Sequence, residues 1–255
     1  MRKRAGKAFA ALFFRCLISA VLTLALVIGT GVYLYYNGLI IPNDASGYNV
    51  RGVDVSSYQG HINWDLLGKD IDFAYIKATE GSDMTDPQFV HNSLLAETTH
   101  LRIGYYMFFN FDVSGEYQAD FFIDTVGKRE SILPPAIDVE LYKGYKNRPP
   151  ERSYVDLQLK AAVERLREYY GVSPVIYCTK RSYDLYIAGD YYDCDIWIRD
   201  VFCEPQLSDG REWTFWQYTD KQQLEGYDGE ERFIDMNVFC GGKMRFEVYG
   251  KKLII

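Results

Sequence analysis

Histidine is nearly absent from this chain, with three in 255 residues (His61, His91, His100). No G-x-S-x-G turn frames a serine, which argues against serine-nucleophile hydrolysis. H-E-x-x-H and any close cluster of histidines with acids are missing too, so a metal-activated water has no ligand set. There is no glycine-rich phosphate loop, no internal repeat and no low-complexity tract. Positive charge is also short: residues 51–255 carry 23 basic and 34 acidic side chains, a net charge of −11. That balance excludes nucleic acid as a partner, and simple electrostatic adhesion to an anionic wall or lipid surface. Any recognition must rest on shape, stacking and hydrogen bonds. Cysteine is sparse and lacks C-x-x-C spacing. Cys178, Cys194, Cys203 and Cys240 permit one or two disulfides or free buried thiols, and spacing leaves the two open.

What the chain does have begins with a basic start (Arg2, Lys3, Arg4, Lys7, Arg15) followed by 21 uncharged residues, Cys16–Tyr36. That length suffices to cross a bilayer as a helix, with the basic flank on the cytoplasmic side. The run is long for a cleaved signal peptide, no small-x-small site follows it, and the aromatic cluster Tyr33–Tyr36 suits an interface. The expected organisation is therefore a cytoplasmic segment 1–15, a transmembrane signal anchor 16–36, a polar tether 37–50 and an extracytoplasmic domain 51–255. A cleaved, secreted form is the alternative.

From residue 51 onward, apolar strand-like runs alternate with helical ones. Strands are expected at 52–56, 73–78, 103–109, 136–141, 175–178, 196–198, 215–218 and 235–239. Helices are expected at 63–67, 87–98, 114–126 and 153–170, the last ended by Gly171. Eight strands with helices concentrated between the early ones predict an α/β fold, an irregular TIM-like barrel of parallel strands. Chemistry on such a barrel belongs at the carboxyl ends of its strands.

The acids stand out against this background. In Ala136-Ile137-Asp138-Val139-Glu140-Leu141, strand alternation sends Asp138 and Glu140 to one face and the aliphatic residues to the other. At roughly 3.3 Å per residue the two acids lie about 6–7 Å apart, close enough to perturb one another and to reach one glycosidic bond. Asp54 (in Val53-Asp54-Val55) and Asp235 (in Ile234-Asp235-Met236) repeat the pattern of an acid embedded in an apolar run. Asp54, Asp138 and Glu140 fall at strand ends that share a rim; Asp235 begins its run, which leaves its place there open. Aromatic residues are abundant, with 22 Tyr, 15 Phe and 4 Trp, as the faces of sugars require. No cofactor or metal is called for.

Taken in order, Gly52-Val53-Asp54-Val55-Ser56, Tyr75-Ile76-Lys77-Ala78-Thr79-Glu80-Gly81, Asp138-x-Glu140, Trp216-Gln217-Tyr218 and Asp235-Met236-Asn237 closely resemble the glycoside hydrolase family 25 lysozymes, the Chalaropsis-type N-acetylmuramidases. The resemblance spans about residues 51–240. It implies an irregular β/α barrel that hydrolyses the β-1,4 bond between N-acetylmuramic acid and N-acetylglucosamine in peptidoglycan glycan strands. It also implies Glu140 as general acid, Asp138 assisting the substrate 2-acetamido group, and Asp54 and Asp235 as flanking acids. Tyr106, Tyr177, Trp197, Gln217, Tyr218, Lys77 and Glu80 would contact substrate, with Lys77 and Glu80 equally readable as an ion pair at the rim. The domain is expected to act as a monomer, held at the membrane by its N-terminal helix.

The chain departs from the family at Tyr105-Tyr106, where a Tyr-His pair is usual, and at Trp197-Ile198-Arg199, where Trp-Ile-Ala is. Both bear on substrate preference. A chitinase-like enzyme would need acids where Ala136 and Pro134 stand. The reading from a different class is a catalytically inactive, membrane-anchored glycan-binding module.

Overall fold

The computed structural model describes residues 2–129 and 132–251. They belong to two units, Met1–Ile41 and Pro42–Ile255. The first is one helix, α1 (Arg2–Tyr36). Its stretch Leu12–Tyr36 is long and apolar enough to cross a membrane, four residues longer at its start than the run free of charge. Gly38, at φ 67°, ends it in the left-handed conformation that glycine adopts without steric cost.

The second unit is built on nine strands: β1 (Arg51–Val55), β2 (Phe73–Glu80), β3 (Met84–Thr85), β4 (Arg102–Phe108), β5 (Ala136–Val139), β6 (Val175–Thr179), β7 (Ile196–Arg199), β8 (Phe215–Gln222) and β9 (Ile234–Phe239). Their order is β1-β9-β8-β7-β6-β5-β4-β2-β3, and pairing of β1 with β2 closes eight of them into a barrel. The two-residue β3 is an antiparallel spur on β2. Neighbouring strands from β1 through β8 run parallel around the barrel. β9 does not: it is antiparallel to both β8 and β1. The barrel is thus mixed where an all-parallel one was expected. The physical reason is the β8–β9 connection, which holds no helix and so makes a hairpin; a parallel return needs a crossover of a dozen or more residues.

The helices α2 (Trp64–Leu67), α3 (Phe89–Ala96), α4 (Gly115–Val126) and α5 (Arg152–Tyr170) follow the expected positions. Asn63 caps α2 by accepting the Leu66 amide at 3.1 Å, and Gly171 at φ 71° stops α5. A short α6 (Lys180–Ser182), the π turn Tyr183–Ile187 and α7 (Lys243–Val248) carry no strong amphipathic signal and were not anticipated.

Two apolar layers result. Outward-facing residues such as Ile76, Ile137, Val139 and Ile176 pack beneath the helices with Phe122, Leu159 and Leu166. Inward-facing Phe73, Tyr75, Val175, Trp197, Phe215 and Phe239 fill the barrel. α7 closes its lower end, where Phe246 packs on Phe73 and Phe239 at ring-centroid distances of 5.4 and 5.1 Å. The crowding explains two glycines: a Cβ at Gly104 would lie 2.3 Å from the Tyr75 ring, and one at Gly52 would lie 2.5 Å from Phe73.

Residues 42–50, read as part of the tether, belong to the barrel unit. Ala45 and Val50 are buried, and Tyr48 stacks on Trp213 at 5.2 Å and hydrogen-bonds Glu204. The polar, turn-rich composition concealed these two apolar anchors. All five cysteines are free thiols, with Cys178 and Cys194 buried, so the disulfides considered above are not formed.

Candidate active site

β5 delivers the paired acids as strand alternation requires. Ile137 and Val139 point to the outer layer, Asp138 points into the barrel, and Glu140 follows the strand's last residue at the mouth. Asp138 is buried, and its Oδ1 has no hydrogen-bond partner. β1 delivers Asp54. Its Oδ2 accepts from Gln217 Nε2 at 2.9 Å and from Asn237 Nδ2 at 2.7 Å. Each of those amides is itself held: Tyr177 Oη donates to Gln217 Oε1 at 3.0 Å, and Trp197 Nε1 donates to Asn237 Oδ1 at 2.7 Å. With both amide oxygens already accepting, their N–H groups must face Asp54. Its carboxylate is thereby fixed in place.

β9 delivers Asp235, and here its reversed direction matters. Because the strand runs antiparallel, its first residues lie at the rim where the parallel strands end. Asp235 stands directly opposite Asp54 in the ladder. Like charges facing each other on paired strands repel. The four acids, drawn from three strands and the residue after one of them, line a single cavity of about 190 Å³.

Crowding and burial govern their protonation. Burial pushes Asp54 up to about 6, against the two amide hydrogen bonds, with the charge of Glu140 pushing the same way. Burial also lifts Asp138 well above the ordinary carboxylate range, helped by Glu140. Asp235 is raised well above that range by burial and then by Asp54. Glu140 is raised by burial too, while the cations Arg199, Lys146 and Lys77 act to lower it. Four carboxyls in one pocket cannot all ionise cheaply, so protons are retained near neutral pH.

Among the expected contact residues, Lys77, Tyr106, Tyr177, Trp197 and Gln217 line this cavity. Trp197 does so from beneath: it is buried, packed between Tyr75 and Tyr177 with centroids 4.8 Å from each. Its indole N–H orients Asn237. Glu80 is absent from the lining and forms an ion pair with Lys77 at 2.8 Å. Tyr218 is also outside. Alternation along β8 turns Gln217 inward and Tyr218 outward, where it accepts a hydrogen bond from Arg51 at 2.8 Å.

Sequence reasoning missed six wall residues, Val55, Ser56, Tyr58, Gln59, Phe108 and Glu231. For Gln59 a signal existed. Ser56 and Gln59 form a capping box on the turn after β1, an S-x-x-Q spacing legible in the sequence. Gln59 then donates to Glu231 at 3.0 Å, tying that turn to the β8–β9 loop. Among the described residues no group of three or more His, Cys, Asp and Glu side chains is arranged to hold a metal ion. What the site can do is deliver and withdraw protons beside a buried anion.

Comparison with known proteins agrees. Residues 53–227 match the model for glycosyl hydrolases family 25, a span that takes in Asp54, Asp138 and Glu140 and stops short of Asp235. A family 25 glycosyl hydrolase from Bacillus anthracis is similar in structure, with a TM-score of 0.79 and 48% identity over 83% of this chain and 98% of that one. The bacterial lysozyme of Streptomyces coelicolor superposes with a TM-score of 0.71 at 28% identity, covering 79% of this chain and 97% of its own. In sequence, lysozyme M1 of Streptomyces globisporus is 30% identical over 220 residues, 80% of this chain and 71% of that protein. The family match extends over most of the chain and its solved relatives share the barrel, so this glycoside hydrolase belongs to glycosyl hydrolase family 25.

Proposed function

We propose that the enzyme is a muramidase that cleaves the β-1,4 bond between N-acetylmuramic acid and N-acetylglucosamine in peptidoglycan. The observation that carries this reading is the convergence of Asp54, Asp138, Glu140 and Asp235 in one cleft at the barrel mouth. Glu140, at the mouth with its proton affinity raised, gives its proton to the leaving glycosidic oxygen. Asp138, which lines the cavity, accepts the N–H of the 2-acetamido group. The acetamido oxygen then bonds to the anomeric carbon as the glycosidic bond breaks. Water next attacks that carbon, breaking its bond to the acetamido oxygen, and loses a proton to Glu140, which restores the acid. Asp54 and Asp235 flank the pair and shape the pocket, and burial sustains the proton on Glu140. The lysozyme relatives support the substrate class.

The test is the reducing end of products released from purified cell walls. Muramic acid there is expected; glucosamine would overturn the assignment. Loss of release in Glu140→Gln is required as well; equal release by both proteins would remove Glu140 from the role of acid, and release by neither would favour the non-catalytic module.

The N-terminal helix supports a location. Residues 16–36 would serve as an uncleaved anchor, with a tether shortened to residues 37–41 and the barrel outside the cytoplasm. Fractionation should find full-length chain in the membrane. A medium form lacking residues 1–36 as the sole product would refute the anchor.

A further inference from the structure

One lobe of the cleft sets cations among its acids. Past Glu140 the cleft opens into a second cavity of about 750 Å³, where Lys146, Arg199, Lys221 and Arg232 share the lining with Glu140, Asp220, Glu231 and Asp235. These cations gather on a domain whose residues 51–255 sum to −11. Two of them are engaged with one carboxylate: Arg199 donates to Asp220 at 2.9 Å, and Lys221 lies 3.8 Å from it. The other two, Lys146 and Arg232, have no ion-pair partner among the described residues. They come from different loops, Lys146 from the turn after β5 and Arg232 from the β8–β9 hairpin. The Arg232 guanidinium is set over the Phe233 ring at 5.2 Å, which holds it at the cavity wall.

We propose that Lys146 and Arg232 dock a carboxylate carried on the lactyl arm of a muramic acid unit, and so select charged strands over neutral ones. The inference rests on the muramidase reading and names what that same site recognises beyond the linkage. The physical argument is complementarity. The sugar rings of the polymer are neutral, and its anionic groups are the lactyl carboxylate or the carboxylates of a peptide condensed onto it. A site for a neutral glycan gains nothing from two cations without ion-pair partners at its mouth, whereas a carboxylate that reaches either of them gains a charge-assisted hydrogen bond.

The experiment compares three substrates: native peptidoglycan strands, strands whose carboxylates have been amidated with methylamine, and strands stripped of peptide by an amidase. For the wild type, kcat/KM on native strands is expected to exceed that on amidated strands about tenfold, less so at high salt. In the double variant Lys146→Ala/Arg232→Ala the ratio should fall near one. A ratio that persists in the variant, or is near one in the wild type, would overturn the proposal. Stripped strands behaving as native assign the lactyl carboxylate; stripped strands behaving as amidated assign the peptide. Because Lys146 also bears on the proton of Glu140, the ratio between substrates is the readout, not the rate. Co-sedimentation of Glu140→Gln protein with native and amidated strands gives the same comparison without turnover, so a failure of carboxylate selection can be told from a failure of the muramidase assignment.

Discussion

The two halves of the barrel interior are lined by the same strands and do opposite things. In the lower half the inward positions are Phe73, Val175, Phe215 and Phe239, sealed by Phe246. One inward step up β8 and β9 stand Gln217 and Asn237, and the neighbouring β1 and β5 bring Asp54 and Asp138 beside them. The period of two is unbroken across the change, so the backbone is indifferent to it. The lower half supplies the burial that holds the fold. The upper half spends part of that stability on carboxyls removed from water, including an Asp138 oxygen without a partner. Rigidity below is what makes crowding above tolerable.

The contrast can be broken from either side. The largest effect is expected at the top: Glu140→Gln should lower kcat on cell walls by about 10³-fold, with the unfolding midpoint nearly unchanged. A parallel loss of stability would mean that Glu140 is structural. At the bottom, Phe215→Ala should reduce stability by about 3–5 kcal/mol, while the folded fraction keeps kcat within a few-fold. Denaturant melts beside single-turnover rates would separate the two.

Asp138→Asn joins both halves. It should lower kcat sharply with binding largely kept, yet raise the melting temperature. The sign follows from its raised proton affinity. The folded state holds this proton to higher pH than the unfolded chain does, so stability falls as pH rises from about 4 upward. Asp54, at about 6, acts in the same direction across roughly pH 4 to 6. The variant's gain should therefore be a few degrees at pH 7.5 and small at pH 4, measured by calorimetry. A gain independent of pH would contradict the electrostatic account. The smallest effect is expected at the edge of the upper layer. Arg199 is the foremost cation lowering Glu140, so Arg199→Ala should shift the alkaline limb of the kcat/KM profile upward. A downward shift would remove Arg199 from that role.

Much of this contrast was legible in the sequence. Strand positions followed from apolar alternation, and three of the four acids were traceable to a shared rim because a strand's end is readable from its pattern. Asp235 was not, since the direction of β9 depends on whether its connection is a hairpin or a crossover, and short loops hide that choice. Tyr218 and Trp197 show another limit. Aromatic residues in a glycosidase suggest sugar contact, but alternation sends Tyr218 outward, and Trp197 is buried with its N–H engaged by Asn237. Glu80 was recognisable as a charged residue at a strand end, and whether it met Lys77 or substrate depended on geometry that spacing does not contain. Wall residues such as Glu231 sit on loops, where no periodicity marks which side chains turn toward the cleft.

The reversed last strand has a further consequence. Its hairpin with β8 makes residues 223–233 an arch at the rim, held along its length against residues 58–63 and, where Gln59 donates to Glu231, at the cavity wall. Lengthening or recolouring that arch would leave every barrel rung intact, so the enzyme can change which polymers it admits without renegotiating the scaffold that performs the cleavage.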